Sequence, residues 1–211
     1  MQPLKTCFSR LLVVSCVVAV FALCLAAKDF VKPAAQPAKA YPAHDDHNDE
    51  KVAIGVDPYD TADKAKIFSI NFHEHGLLPV FFVVTNDGNQ PISVGHMQVT
   101  LTTANRDKLT PVAPDDIYRR LTNPHANTAP PLPLPIPHKD VKGTVSRKQM
   151  DEIESAQFAA RAVEPHTTQS GFLFFDVEDI DASLAGARMY VSGVNDAKGN
   201  ELMYFEIPMG K

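Results

Sequence analysis

Tryptophan is absent from this sequence, and cysteine is confined to its first 24 residues, at Cys7, Cys16 and Cys24. The rest of the chain therefore has no disulfide, no thiol nucleophile and no cysteine ligand for a metal. Small exported domains often depend on disulfides, so this one must be stabilised by packing alone. The chain has 211 residues, which is enough for one domain with a sizeable hydrophobic core.

A basic cluster is also absent. Charges balance within residues 1–50, so residues 51–211 carry the whole net charge of −5. An acidic domain repels phosphate backbones, and nucleic acid is therefore not an expected partner. The chain also lacks a glycine-rich phosphate loop and the G-x-S-x-G nucleophile motif. We predict no catalytic residues and no cofactor, and we do not expect an enzyme.

One long hydrophobic run is present, at residues 11–27, after Lys5 and Arg10. Positive charge, an apolar core and closing small residues predict a secretory signal peptide over residues 1–27. The run is also close to the shortest that spans a bilayer, so a retained membrane anchor is an alternative. Lipidation is a third, because the residues before Cys16 resemble a bacterial lipobox. Each alternative predicts that residues 28–211 are exported, to the periplasm or the cell exterior.

The next segment, residues 28–50, is rich in alanine, proline and acidic side chains and has no apolar periodicity. This composition predicts a disordered linker. Residues 51–211 then form the predicted folded domain.

Seven short strands are predicted in this domain. Residues 80–85 are apolar on both faces, which predicts a central strand, and residues 97–103 alternate between apolar and polar. The other strands are expected at residues 52–56, 66–70, 171–177, 187–192 and 201–207, the last two as a hairpin. We expect Tyr190 and Tyr204 to pack across this hairpin, and the acidic run from Asp176 to Asp181 to form a solvated turn.

An insertion at residues 113–165 separates the two groups of strands. It contains a predicted helix at residues 115–121, a polyproline run at residues 130–137, and a second helix that begins with a capping box formed by Ser146 and Gln149. Met150, Ile153, Ala156 and Ala160 form the apolar stripe of this helix, and Pro165 marks its end. Loops of this length are often functional.

We predict that the insertion is the surface that recognises a partner. Its apolar ridge is formed by Leu132, Leu134 and Ile136 on a proline frame, beside a basic helix face formed by Arg147, Lys148 and Arg161. A stiff apolar ridge next to positive charge, on an acidic domain, is typical of a protein-binding surface. A stiff spacer is the alternative for the polyproline run.

Three histidines are the candidates for a metal site. His73 and His75 have His-x-His spacing, and His96 is the nearest third histidine. A zinc site needs at least three protein ligands, and no carboxylate follows His75 at the spacing of such sites. Exposed loop histidines are therefore the preferred interpretation, and a metal-dependent enzyme or metal carrier is the alternative.

Two stretches resemble the exported immunoglobulin-like proteins of bacterial cell envelopes. The first runs over residues 78–86 and 91–94, and the second over residues 163–165 and 170–177. The resemblance implies an antiparallel immunoglobulin-like β-sandwich and brings no catalytic residues. The long insertion and the missing core cysteines and tryptophan depart from the pattern of antibody domains. We therefore expect a mainly β, non-enzymatic binding or scaffolding module whose partner is another envelope protein. An assembly accessory that binds other chains through its sheet edges is a further alternative.

Overall fold

Antiparallel strands dominate the chain, which is mainly β. A computed structural model describes residues 30–122, 145–178 and 184–210. The strands are β1 (Ala43–His47), β2 (Val52–Pro58), β3 (Leu77–Asn86), β4 (Ile92–Ser93), β5 (Gln98–Thr102), β6 (Lys108–Leu109), β7 (Ala162–Val163), β8 (Thr167–Asp176), β9 (Arg188–Ser192) and β10 (Phe205–Pro208). The α-helices are α1 (Ala62–Ala65), α2 (Pro114–Thr122) and α3 (Arg147–Ala156), and 3₁₀ turns lie at Ala38–Ala40 and Phe72–His75.

Two four-stranded sheets form the framework. The first sheet has the order β1-β2-β3-β8 and the second sheet has the order β10-β9-β5-β6. β4 and β7 form a separate two-stranded pair. Every pairing between these strands is antiparallel. As the sequence predicts, residues 80–85 lie in a central strand, β3, and β9 and β10 form a hairpin.

One buried cluster joins the two sheets. The first sheet contributes alternate residues of β2 and β3, and the second contributes the buried positions of β5, β9 and β10. Members of this cluster include Ile54, Val80, Phe82, Val99, Leu101, Met189, Val191, Phe205 and Ile207. Since side chains alternate along a strand, each sheet turns one apolar face toward this shared core.

The opposite face of the first sheet is buried as well, because all ten residues of β3 are buried. Aromatic rings from residues 59–72 cover this face. Tyr59 and Phe68 lie against Phe172, with ring centroids 4.9 and 5.0 Å away, and Phe72 lies 4.8 Å from Phe174. The first sheet is therefore a middle layer between the shared core and this aromatic cover.

The predictions for residues 66–70 and for residues 28–50 are wrong. Residues 66–70 are not a strand but an irregular segment after α1. Phe68 is buried from this segment because its ring is part of the aromatic cover and packs on Phe172. The linker expected over residues 28–50 is structured from Ala38 onward, since Ala38 is fully buried and β1 pairs with β2. Its order comes from contacts with distant residues, which local composition does not reveal.

Both predicted helices of the insertion are present, as α2 and α3. The capping box of α3 forms as predicted, since Ser146 and Gln149 exchange hydrogen bonds. The helix ends at Ala156, however, well before Pro165, so Ala160 is not part of its apolar stripe. Met150 is 40% exposed, whereas Ile153 and Ala156 are fully buried.

Two units make up the chain, Met1–Phe30 and Val31–Lys211, and the strands and helices named here belong to the second. The predicted leader at residues 1–27 and the polyproline run at residues 130–137 lie outside the described residues. Among the residues that are described, no helix has the length and apolar character needed to span a membrane.

Candidate interaction surface and neighbouring clusters

The outer face of the second sheet is less buried than any face of the first. Burial alternates along β5, β9 and β10, so one side of these strands points into the core and the other outward. We call this outward side the open face. Its cross-strand register places Thr100, Tyr190 and Glu206 in one row and Thr102, Arg188 and Pro208 in the next.

Tyr190 contributes an aromatic ring to the open face, and Tyr204 packs beside it from the segment just before β10, where Met203 is its neighbour in the chain. The rings of Tyr190 and Tyr204 lie 6.5 Å apart at 41°, as expected, but Tyr204 precedes β10, which begins at Phe205 rather than at the predicted residue 201. Tyr204 is 50% exposed and the adjacent Met203 is 64% exposed. Tyrosine combines a large apolar surface with a polar tip, and it is enriched in protein interfaces.

Charged groups flank the tyrosines. The carboxylate of Glu206 accepts hydrogen bonds from Arg188 and from the hydroxyl of Tyr190, the latter at 3.3 Å. Desolvation raises the pKa of Tyr190, and the charge of Glu206 raises it further. The phenol therefore remains a neutral hydrogen-bond donor at neutral pH.

Two of the four sheet edges, those of β8 and β6, are protected. Main-chain amides of Val112 and Phe158 donate to the carbonyls of Phe174 and Phe172 on the outer edge of β8, at 2.7 and 3.1 Å. At the edge of the second sheet, β6 has only two residues. Covered or short edges resist pairing with another chain.

The predicted basic face is divided between separate elements. Arg147 and Lys148 are exposed in the first turn of α3. Arg161 is also exposed but follows the helix, in the segment where its carbonyl accepts the amide of Val94. The prediction of one basic helix face is therefore wrong for Arg161. The ridge residues Leu132, Leu134 and Ile136 lie outside the described residues.

The three candidate metal ligands lie in two separate segments of the chain. His73 and His75 occupy the 3₁₀ turn rather than a strand, and His96 is exposed in the segment before β5. Over the described parts of the chain, no group of three histidine, cysteine, aspartate or glutamate side chains is arranged to hold a metal ion.

The acidic run after β8 is an ion-pair cluster in its described part, rather than only a solvated turn. Arg120 of α2 donates to both carboxylate oxygens of Asp176, and its Nη1 lies 3.4 Å from Glu178 Oε2. The Arg120 side chain is only 12% exposed. Its Nε, like the Nδ1 of His75, is buried without a hydrogen-bond partner. Since both Nη groups of Arg120 bind carboxylates at the end of β8, the cluster attaches α2 to this strand.

A second cluster connects β1 to β10. The ring of His47 stacks on Phe205, with centroids 4.0 Å apart and planes 9° from parallel. Its Nδ1 lies 2.8 Å from Glu50 Oε2, and its Nε2 lies 3.4 Å from Asp45 Oδ2. Sequence reasoning missed this cluster because it assigned these residues to the linker.

Comparison of the chain with protein-family models, with curated proteins and with solved structures finds no match in any of the three.

Proposed function

We propose that this chain is an exported, non-enzymatic binding module with an immunoglobulin-like β-sandwich, and that it binds another protein of the cell envelope through the open face. The observation that carries the proposal is the unequal covering of the two sheets. The central strand of the first sheet, β3, is buried on both faces, whereas the second sheet leaves Tyr204 and Met203 exposed beside a patterned polar surface.

The strand order supports the immunoglobulin-like assignment. If β2, β3, β5, β6, β8, β9 and β10 correspond to strands A, B, C, C′, E, F and G, the sheets read A-B-E and G-F-C-C′. These are the neighbour relations of immunoglobulin sheets, in which C′ extends the G-F-C sheet. β1 is then an additional strand beside A.

The composition of the open face supports a protein partner. Exposed aromatic side chains, a methionine and an arginine are of the types enriched at interface centres. The alternative of binding through sheet edges receives less support, since the edge of β8 is covered and β6 is short. The metal alternative requires His73, His75 and His96 to act together, but His96 lies in a different segment from the 3₁₀ turn that holds the other two.

Site-specific crosslinking tests the proposal. A photoreactive amino acid in place of Tyr204, in the full-length chain expressed in its source cells, should give a defined adduct with an envelope protein. The same substitution at Gln169, which is exposed on β8 of the first sheet, is the matched control. Adducts from both positions or from Gln169 alone would contradict binding through the open face.

Binding strength gives a second test. Replacing Met203→Ser together with Tyr204→Ala should weaken capture of the crosslinked partner by about tenfold or more, the effect of losing about 1.4 kcal/mol. Met150→Ser, at an exposed methionine of α3, should leave capture unchanged. Equal binding by the double variant and the wild type would refute the proposal.

A further inference from the structure

The cluster around His47 also holds the start of β10. Asp45 Oδ2 accepts the main-chain amide of Glu206 at 2.8 Å, and Glu50 Oε1 accepts the amide of Met203 at 3.0 Å. The same two carboxylates flank the imidazole ring. We call the three side chains and these two amides the His47 clasp.

The charge on the ring decides how many donors the clasp contains. A neutral imidazole has one N–H, and its other nitrogen presents a lone pair. Only the charged ring carries an N–H toward both carboxylates. His47 is well suited to this role because its side chain is 15% exposed and its ring orientation is fixed by stacking on Phe205.

Other charged groups near the clasp have partners of their own. Lys39 lies 3.0 Å from Asp46 and 3.7 Å from Asp87, and the Glu206 carboxylate pairs with Arg188. The strand beside His47, β2, pairs through Val52–Val56 and brings no titratable side chain in that stretch. Asp45 and Glu50 are therefore the carboxylates that face the ring.

We propose that the His47 clasp is a proton-dependent device, which holds the start of β10 more firmly when the imidazole is charged. Loss of the proton leaves a lone pair directed at an ionised carboxylate, which weakens the attachment of the amides of Met203 and Glu206. Met203 adjoins Tyr204, so the charge of the clasp would change how firmly Tyr204 is held beside the open face. This last consequence rests on the proposed function, whereas the clasp itself does not.

Amide hydrogen exchange measured by NMR on the full-length chain tests the clasp. The charge state of the His47 ring is read from its own resonances in the same samples. After correction for the intrinsic effect of pH, protection of the Met203 and Glu206 amides should fall about threefold or more as the ring becomes neutral, the factor expected for one ordinary hydrogen bond. His47→Gln should abolish this change.

The amides of Lys198 and Asn200 are the matched control, because both donate to the carboxylate of Asp196 at 2.8 Å. Their protection should be constant over the same range. Unchanged protection of Met203 and Glu206 in the wild type would overturn the inference, as would an equal change at the control amides. The comparison of amide protection in the wild type with the ring charged and neutral tests the inference even if His47→Gln does not fold. Crosslinking at Tyr204 tests the proposed function separately, so the two failures are distinguishable.

Discussion

The main-chain carbonyl oxygen of Ala38 lies 2.5 Å from the position that a β-carbon would occupy at Gly55. Ala38 is fully buried, and its amide donates to Thr85 Oγ1 at 2.8 Å. The segment before β1 therefore lies directly against the first sheet, and only a residue without a side chain at position 55 permits the contact.

Gly55→Ala should destabilise the protein by about 1–3 kcal/mol, because the added methyl group must displace main-chain atoms rather than a flexible side chain. Thermal unfolding measures the effect as a fall of several degrees in Tm. Gly95→Ala is the control, since its nearest contact would be an ordinary 3.6 Å. A Tm equal to that of the wild type for Gly55→Ala would show that Ala38 is not held against β2.

Local sequence patterns predicted the parts of the fold that local chemistry determines. The apolar run of β3 and the alternation of β5 indicate strands without knowledge of their neighbours. The capping box of Ser146 and Gln149 also involves only adjacent turns. In contrast, residues 66–70 alternate like a strand, but burial of Phe68 against Phe172 satisfies that pattern in an irregular segment.

The candidate surface was harder to predict. The pairing of Tyr190 with Tyr204 follows from the hairpin, but their exposure depends on which sheet the helices cover. That choice involves contacts between distant residues, such as the one between Arg120 and Asp176. The order of residues 43–47 has a similar origin, because Asp45 and His47 are held by groups more than 150 positions away in the sequence.

Arg120→Gln should destabilise the protein by about 1–2 kcal/mol, since it removes a bidentate pair from a mostly buried position. Asp176 and Glu178 are about half exposed, so water can hydrate their carboxylates once the arginine is gone. The loss of stability is therefore smaller than for a fully buried ion pair. Arg119→Gln removes an exposed pair with Asp116 and should change stability by less than about 0.5 kcal/mol. Urea unfolding midpoints distinguish the two, and equal effects would contradict the role given to Arg120.

The carboxyl group of Asp196, in the loop between β9 and β10, should stay ionised to a lower pH than an ordinary aspartate. The side-chain hydrogen bond from Asn200 lowers the pKa of Asp196, and the main-chain amides of Asn200 and Lys198 lower it further. A carboxyl group with a depressed pKa stabilises the fold above its unfolded pKa and loses that contribution as the pH falls through the folded pKa. Carboxyl NMR should therefore place the pKa of Asp196 below the ordinary 3.8. Asn200→Ala should raise it, and an unchanged value would contradict the assigned cause.

The final prediction concerns Glu152, a buried carboxylate of α3 that is 3% exposed. Its Oε1 accepts the main-chain amide of Ser69 at 2.9 Å, and its Oε2 accepts the Ser69 hydroxyl. This pair attaches α3 to the aromatic cover of the first sheet. Glu152→Ala removes both acceptors and leaves the main-chain amide of Ser69 without its partner, so it should destabilise the protein by about 1–3 kcal/mol. Ser69→Ala should lower the free energy of unfolding by a smaller amount. The double variant should lose less stability than the sum of the two single variants, because the two residues share one interaction. The neighbouring, exposed Asp151→Asn is the control, and strict additivity in urea unfolding would mean that Ser69 and Glu152 do not stabilise α3 together.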